Sequence, residues 1–138
     1  MPPIRVYPDT SVYGGVFDSE FQSASRAFFN EVRDGRFLLV TSAVAQYEVS
    51  RAPDQVQRLF DSLMDITEVA DVSDETVSLQ NAYIRAGILT SGQSEDALHV
   101  AIASTARCAL VVSWNFRHII HFQKIPLFNA VNILEGYD

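Results

Sequence analysis

Four short segments of the chain carry the polar residues whose types suit chemistry: Asp9-Thr10-Ser11, Tyr47-Glu48, Glu95-Asp96 and Ser113-Trp114-Asn115. Gathered within roughly 4–6 Å, the carboxylates of Asp9, Glu48 and Asp96 would repel by about 1–4 kcal/mol per pair at intermediate dielectric. A folded chain keeps such a group only when protons or a cation neutralise it. All-oxygen ligation suits Mg²⁺ or Mn²⁺, whereas zinc draws on Cys and His. This chain has one cysteine, Cys108, and no His-x-x-x-His pair. A hard cation held by carboxylates activates water and polarises a phosphate. A grouping of that kind would support phosphodiester hydrolysis, which is a chemical rationale for the grouping and leaves its existence to the fold.

Each residue also has a plain structural use. Asp9 suits a turn, where an Asx side chain bonds its own backbone. Asp96, two residues past Ser94, is what a helix dipole alone favours, and Asn115 is a turn former. Glu48 stands apart, because it lies three and four residues from Ala45 and Val44 and so shares the face of an apolar stripe. His99, one turn beyond Asp96 in an apolar helix, reads as a satisfied core histidine. For His118, beside Arg117, a phosphate contact and simple packing stay open, and His121 has no assigned role. Tyr13 and Trp114 are aromatic enough to stack on a base, but their places beside strand ends favour the core.

Whether these residues meet depends on the elements that carry them. Arg5-Val6-Tyr7 is a strand signal that stops at Pro8. Phe17, Phe21, Ala24 and Phe28 recur at helical spacing before Gly35, a C-terminal stop. The apolar run 37–40 reads as a strand buried on both faces. Thr41-Ser42 then offers an N-cap to a helix through Glu48. A helix starting near Pro53-Asp54 buries Val56, Leu59, Phe60 and Leu63, and 66–72 is extended. Ser73 or Asp74 caps a helix with the stripe Leu79, Ala82, Tyr83 and Ala86, ending at Gly87. Ser94 caps a helix over 96–105 that is apolar nearly all round and so belongs inside. Residues 109–113 form another strand, and 127–133 a last one. Alternating strands and helices imply a parallel α/β sheet with helices on both faces. In such sheets ligands gather outside the carboxyl ends of the strands, and a parallel sheet can bring all four segments to that one edge although they are scattered through the sequence.

Val6-Tyr7-Pro8-Asp9-Thr10-Ser11, Tyr47-Glu48, Ser94-Glu95-Asp96-Ala97-Leu98-His99-Val100-Ala101 and Val112-Ser113-Trp114-Asn115-Phe116-Arg117-His118 follow one another in the order and spacing of PIN domains. The chain resembles in particular the VapC-type toxin ribonucleases of toxin–antitoxin pairs, over essentially its whole length. The resemblance implies a single domain over 1–138 with a three-layer α/β/α fold and a mainly parallel central sheet. It also implies a Mg²⁺- or Mn²⁺-dependent endoribonuclease acting on RNA. Carried over by position, Asp9, Glu48, Asp96 and Asn115 would be catalytic, with Asp9, Asp96 and Glu48 on the metal. Thr10, Ser11 and Ser113 would bond to the carboxylates, and Arg117 and His118 would face substrate. Many PIN domains place an acid where Asn115 stands; a neutral amide there weakens a second metal, for which Glu95 or a water could compensate. The same resemblance implies a cognate antitoxin and a homodimer.

With 138 residues, 48% apolar and 20% charged, the composition is that of one globular domain. The strongly apolar stretch 97–103 already contains His99 and is far short of the roughly 18–20 residues of a membrane span. Met-Pro-Pro-Ile-Arg is no signal peptide, and a lone cysteine suits a reducing compartment, so a cytoplasmic protein is expected. The formal net charge of −7 excludes a basic coat protein and argues against tight autonomous RNA binding. Arg5, Arg51 and Arg117 remain as a local basic strip, and the acidity suits a basic partner segment. Two other classes compete. One is a non-catalytic PIN-fold module that binds RNA or protein through a weakened metal site. The other is a phosphoacceptor receiver domain, which needs an acidic pair where Asp9 is followed by Thr and Ser and finds only Lys124 loosely in place.

Overall fold

The computed structural model describes residues 2–121 and 123–137. Four strands, β1 (Ile4–Pro8), β2 (Phe37–Ser42), β3 (Thr67–Ala70) and β4 (Leu110–Val112), form one sheet in the order β3-β2-β1-β4. All pairings among them are parallel, with Val6 opposite Leu39 and Leu110, and Val40 opposite Glu68. Seven helices complete the described chain: α1 (Thr10–Gly15), α2 (Gln22–Arg33), α3 (Ala43–Ser50), α4 (Asp54–Leu63), α5 (Asp74–Arg85), α6 (Ser94–Thr105) and α7 (Ile125–Leu134).

Successive strand side chains point to opposite faces, and that alternation divides the core. Val6 and Leu39 pack with Val12 and Tyr13 of α1, Phe28 and Phe29 of α2, and Phe60 of α4. Tyr7 and Val40 point the other way, onto Ile102 and Ala103 of α6. Beyond them Leu79 and Tyr83 of α5 and Phe128 of α7 close over Ala97 and Ala101. The fold is thus the three-layer α/β/α arrangement with a parallel sheet that the resemblance implies. Helix α6 is apolar nearly all round because it lies between the sheet and α5.

Local signals are used much as the sequence suggests. Ser42 accepts from the Ala45 amide and caps α3, and Ser73 forms a reciprocal capping box with Thr76. Gly35 and Gly87 follow α2 and α5 with φ of +81° and +79°, a region open to glycine. Four expectations are corrected. The run 127–133 is helical, within α7. Pro126 sits in its first turn, Phe128 and Asn132 are its buried pair, and Leu127 and Ile133 face outward. That is the i, i+4 spacing of a helix hidden inside an apolar run. Asn132 is held there by the Tyr83 hydroxyl, which donates to its carbonyl, and it donates to Ser104 Oγ at 3.1 Å. The helix expected from Phe17 begins only at Gln22, and α1 precedes it unannounced, because Gly14-Gly15 reads as a breaker. Ser94 does not cap α6: a 3₁₀ turn (Ser91–Gln93), closed by Thr90, delivers the chain so that Gln93 occupies the N-cap. The extended stretch 66–72 is shortened to β3, since Met64–Ile66 is also a 3₁₀ turn. Among the described residues no helix is long and apolar enough to cross a membrane.

Candidate active site

Strands β1, β2 and β4 all deliver the chain to the same edge of the sheet. As β1 ends, the Asp9 amide donates to Val112 O at 3.0 Å, which ties the start of α1 to the end of β4. Asp9 caps α1 and is only 5% exposed. Its Oδ1 accepts from the Ser11 amide at 3.1 Å and from the Ser11 hydroxyl at 2.5 Å. Its Oδ2 accepts from Ser113 Oγ at 2.7 Å. Ser113 Oγ in turn accepts from the Asn115 amide at 2.9 Å. The Asn115 side chain donates to Asp96 Oδ1 at 3.2 Å and accepts from the His118 backbone N–H at 2.9 Å. A continuous hydrogen-bonded line therefore runs Asp9–Ser113–Asn115–Asp96.

Glu48 enters from α3. Thr10 Oγ1 donates to its Oε1 at 3.0 Å, and His99 Nε2 donates to the same oxygen at 2.8 Å. His99 is 2% exposed, and its other ring nitrogen stands 2.7 Å from the Tyr7 hydroxyl. That hydroxyl is 2.9 Å from Ser42 Oγ, the cap of α3. His99 is the satisfied core histidine the sequence suggests, and it is also a partner of a site carboxylate, which the sequence reading missed. The available signal was its spacing, three residues after Asp96 on one helix face.

The remaining expected residues divide. Thr10, Ser11, Ser113 and Asn115 join the carboxylates. Arg117 is exposed, and His118 is linked through its backbone. Trp114 is anchored: its backbone N–H donates to Ser11 Oγ and its indole N–H to Ser25 Oγ, each at 2.9 Å. Its ring stacks on Phe21. Tyr13 is buried in the core against Phe29 and Phe60. Arg5 does not join the basic strip, because it pairs with Glu68 on β3 and with the Ala106 carbonyl. Arg51 lies over the exposed Tyr47 ring. A separate cleft of about 300 Å³ beneath α7, lined by Val100, Leu110 and Phe128, shares no residue with these carboxylates.

No family model matches the sequence, and no curated protein matches it. Among solved structures it is similar to a chain in the crystal structure of VapBC2 from Rickettsia felis bound to a DNA fragment from their promoter. The TM-score is 0.59 at 18% identity, covering 89% of this chain and 94% of that one. The fold is PIN-like.

Within the site at this sheet edge burial and charge act against one another. Burial pushes the Asp9 carboxyl above its ordinary range, and the bonds from Ser11 and Ser113 offset only part of that. Burial acts the same way on Glu48, but the bond from His99 and its charge outweigh it and hold Glu48 below the usual value. Burial alone would lower His99; the bond to Glu48 and the charges of Glu48, Asp9 and Asp96 raise it instead. Glu95 is raised chiefly by its hydrogen-bonding contact with Glu48, then by burial and the charges on Glu48 and Asp96. The four carboxylates thus share one field.

The donor set is all oxygen and acidic, which suits Mg²⁺ or Mn²⁺. Among the described residues no three His, Cys, Asp or Glu side chains lie close enough together to enclose a cation. Hydroxyl and amide bridges, Ser113 and Asn115, stand between Asp9 and Asp96.

A pH dependence follows for the metal-free chain. Ionised Glu48, with its lowered pKa, stabilises the fold above its unfolded value, and that contribution is lost as pH falls through the folded one. Protonated His99, with its raised pKa, stabilises below its unfolded value, and that is lost as pH rises through the folded one. The unfolding midpoint should therefore peak between the two folded values. His99→Gln, which cannot titrate, should remove most of the alkaline decline; an unchanged alkaline arm would show that another group governs it.

Proposed function

We propose that this chain is a metal-dependent endoribonuclease that hydrolyses RNA phosphodiester bonds, the toxin of a toxin–antitoxin pair. The observation that supports this reading best is the hydrogen-bonded line from Asp9 to Asp96, with Glu48 beside it, at the carboxyl edge of a parallel sheet. Asp9, Asp96 and Glu48 would hold Mg²⁺ or Mn²⁺ with the help of its bound waters, since no three acids among the described residues lie close enough to enclose it directly. The ion would supply an activated water and neutralise charge on the phosphate and the leaving oxygen.

The chain's own residues do the rest. Ser11 and Ser113 fix both oxygens of Asp9, so the carboxylate keeps one orientation. Asn115 restrains Asp96 and, as a neutral amide, keeps the charge of the site lower than an acid would. Glu95 shares the field of Glu48 and can take up a proton there. Exposed Arg117 and Arg51 supply positive charge for phosphates, and His118 lies in the same loop as Arg117. An acidic protein of net charge −7 also suits a basic antitoxin segment, and the solved complex it resembles in fold pairs two proteins with DNA. A second copy of the chain completes a homodimer in this reading, and the site of action is the cytoplasm.

The test is cleavage of a mixed single-stranded RNA pool with Mn²⁺ or Mg²⁺, against EDTA and against Asp96→Asn prepared identically. We expect metal-dependent cleavage that falls about 10²–10³-fold in the variant. Equal cleavage by the variant would remove Asp96 from the mechanism. Asn115 and the spacing of the carboxylates favour a second reading, a PIN-fold module that binds RNA or protein without turnover. RNA retained uncleaved at every divalent ion would select it.

A further inference from the structure

We propose that His99, held by the Tyr7 hydroxyl that Ser42 in turn holds, is the positioning residue that fixes the Glu48 carboxylate at the acidic edge of the sheet. The inference rests on the reading of that edge as a cation site.

Four elements supply the chain of contacts: Tyr7 from β1, Ser42 from the end of β2, His99 from α6 and Glu48 from α3. Tyr7 and Ser42 are 0% exposed and His99 is 2% exposed, so three polar side chains are buried in succession. Their neighbours are Val40, Ile102 and Ala103. Packing alone does not call for polar groups here, since a matched apolar set of the same shape would be about as stable as a satisfied polar one. What the polar chain provides is direction. It starts at the Ser42 hydroxyl that caps α3 and ends on the carboxylate of Glu48, nearly two turns further along that same helix. The Ser42 cap and the His99 bond therefore hold α3 and its acid as one unit.

The grip is also selective. Thr10 and His99 both donate to Oε1 of Glu48, and neither bonds to Oε2. A glutamate has three rotatable side-chain bonds, and a cation must otherwise bear the entropy of fixing them. With Oε1 held from two sides, the side chain is set before any ligand arrives. Losing a partner that orients a metal ligand typically costs about 10–100-fold in metal affinity.

The experiment measures Mn²⁺ affinity by titration calorimetry, with the fold checked by circular dichroism and the unfolding midpoint. The chains compared are the wild type, His99→Leu, His99→Gln, Tyr7→Phe and Asp96→Asn. We expect His99→Leu to weaken Mn²⁺ binding about 10–100-fold. His99→Gln should recover most of that loss, because its terminal amide places a donor near the position of Nε2. Tyr7→Phe should give a smaller loss, since it frees the ring of His99 but leaves the bond to Glu48 possible. If His99→Leu does not fold, Tyr7→Phe and His99→Gln carry the comparison. Wild-type affinity in His99→Leu or, failing that, in Tyr7→Phe, beside lost affinity in Asp96→Asn, overturns the positioning role and leaves the cation site standing. Equal losses in His99→Gln and His99→Leu reduce His99 to a packing residue. A wild-type chain that binds no Mn²⁺ removes the cation reading and this inference with it.

Discussion

Asp9→Asn is expected to cut cleavage by about 10²–10³-fold and to make the metal-free chain more stable. The two effects have one cause. Asp9 is buried, and its oxygens are met by two serine hydroxyls and a backbone amide with no cationic side chain among its bonds. Its carboxyl is therefore held above the usual range. A folded pKa above the unfolded one means that protonation favours the fold, so stability drains away as pH rises through the folded value. At neutral pH the buried charge is a cost that a bound cation would offset. Asparagine has the same shape without the charge. Its Oδ1 can accept from Ser11, and its Nδ2 can donate to Ser113 once that hydroxyl turns. We expect a gain of about 1 kcal/mol, seen as a rise of about 3–5 °C in the unfolding midpoint. The gain should shrink toward acid pH, where wild-type Asp9 is already neutral. Saturating Mn²⁺ should reverse the order, since it stabilises only the chain that binds it. Cleavage should fall about 10²–10³-fold. A variant that cleaves at the wild-type rate, or whose stability gain ignores pH, would refute the account.

The residues of the acidic edge were legible because the fold puts them in places that sequence marks. Asp9 follows a short strand, Asn115 follows another, and Asp96 lies in the first turn of a helix too apolar to be anywhere but inside. Such signals are local. The His99 relay is not: Tyr7 and His99 meet across 92 positions, and no periodicity says which hydroxyl a buried imidazole finds. The error at 127–133 has a different origin. A short apolar run does not separate strand from helix by itself, and the arbiter was Asn132, whose place opposite Tyr83 becomes visible only in three dimensions. Arg5 failed for the same reason, because its partner Glu68 lies on β3, two strands away in the sheet. Short-range chemistry was readable, and long-range pairing of polar groups was not.

Gly15→Ala should cost about 1–3 kcal/mol and disturb the site without touching a carboxylate. Alanine is ordinarily the better helix residue by roughly 1 kcal/mol, so propensity alone predicts the opposite sign. Space decides it. A Cβ on Gly15 would lie 2.4 Å from Ser25 Oγ and 2.7 Å from Trp114 Nε1. Neither atom is free to retreat. Ser25 is buried, accepts from the indole at 2.9 Å and donates to the Val12 carbonyl at 2.8 Å. The Trp114 ring is stacked on Phe21 with planes 4° apart. Moving Trp114 moves its neighbours Ser113 and Asn115, the bridge between Asp9 and Asp96. Cleavage should therefore fall together with stability, although α1 itself remains formed. A double-mutant cycle isolates the cause. Ser25→Ala deletes the nearest atom, so the double variant should be less destabilised than the two single losses combined. It should not recover fully, because Trp114 Nε1 still stands close and has lost its acceptor. Strict additivity would mean that Gly15 and Ser25 act independently. A Gly15→Ala chain more stable than wild type would show that the close approach of α1 to Trp114 does not hold the site loop.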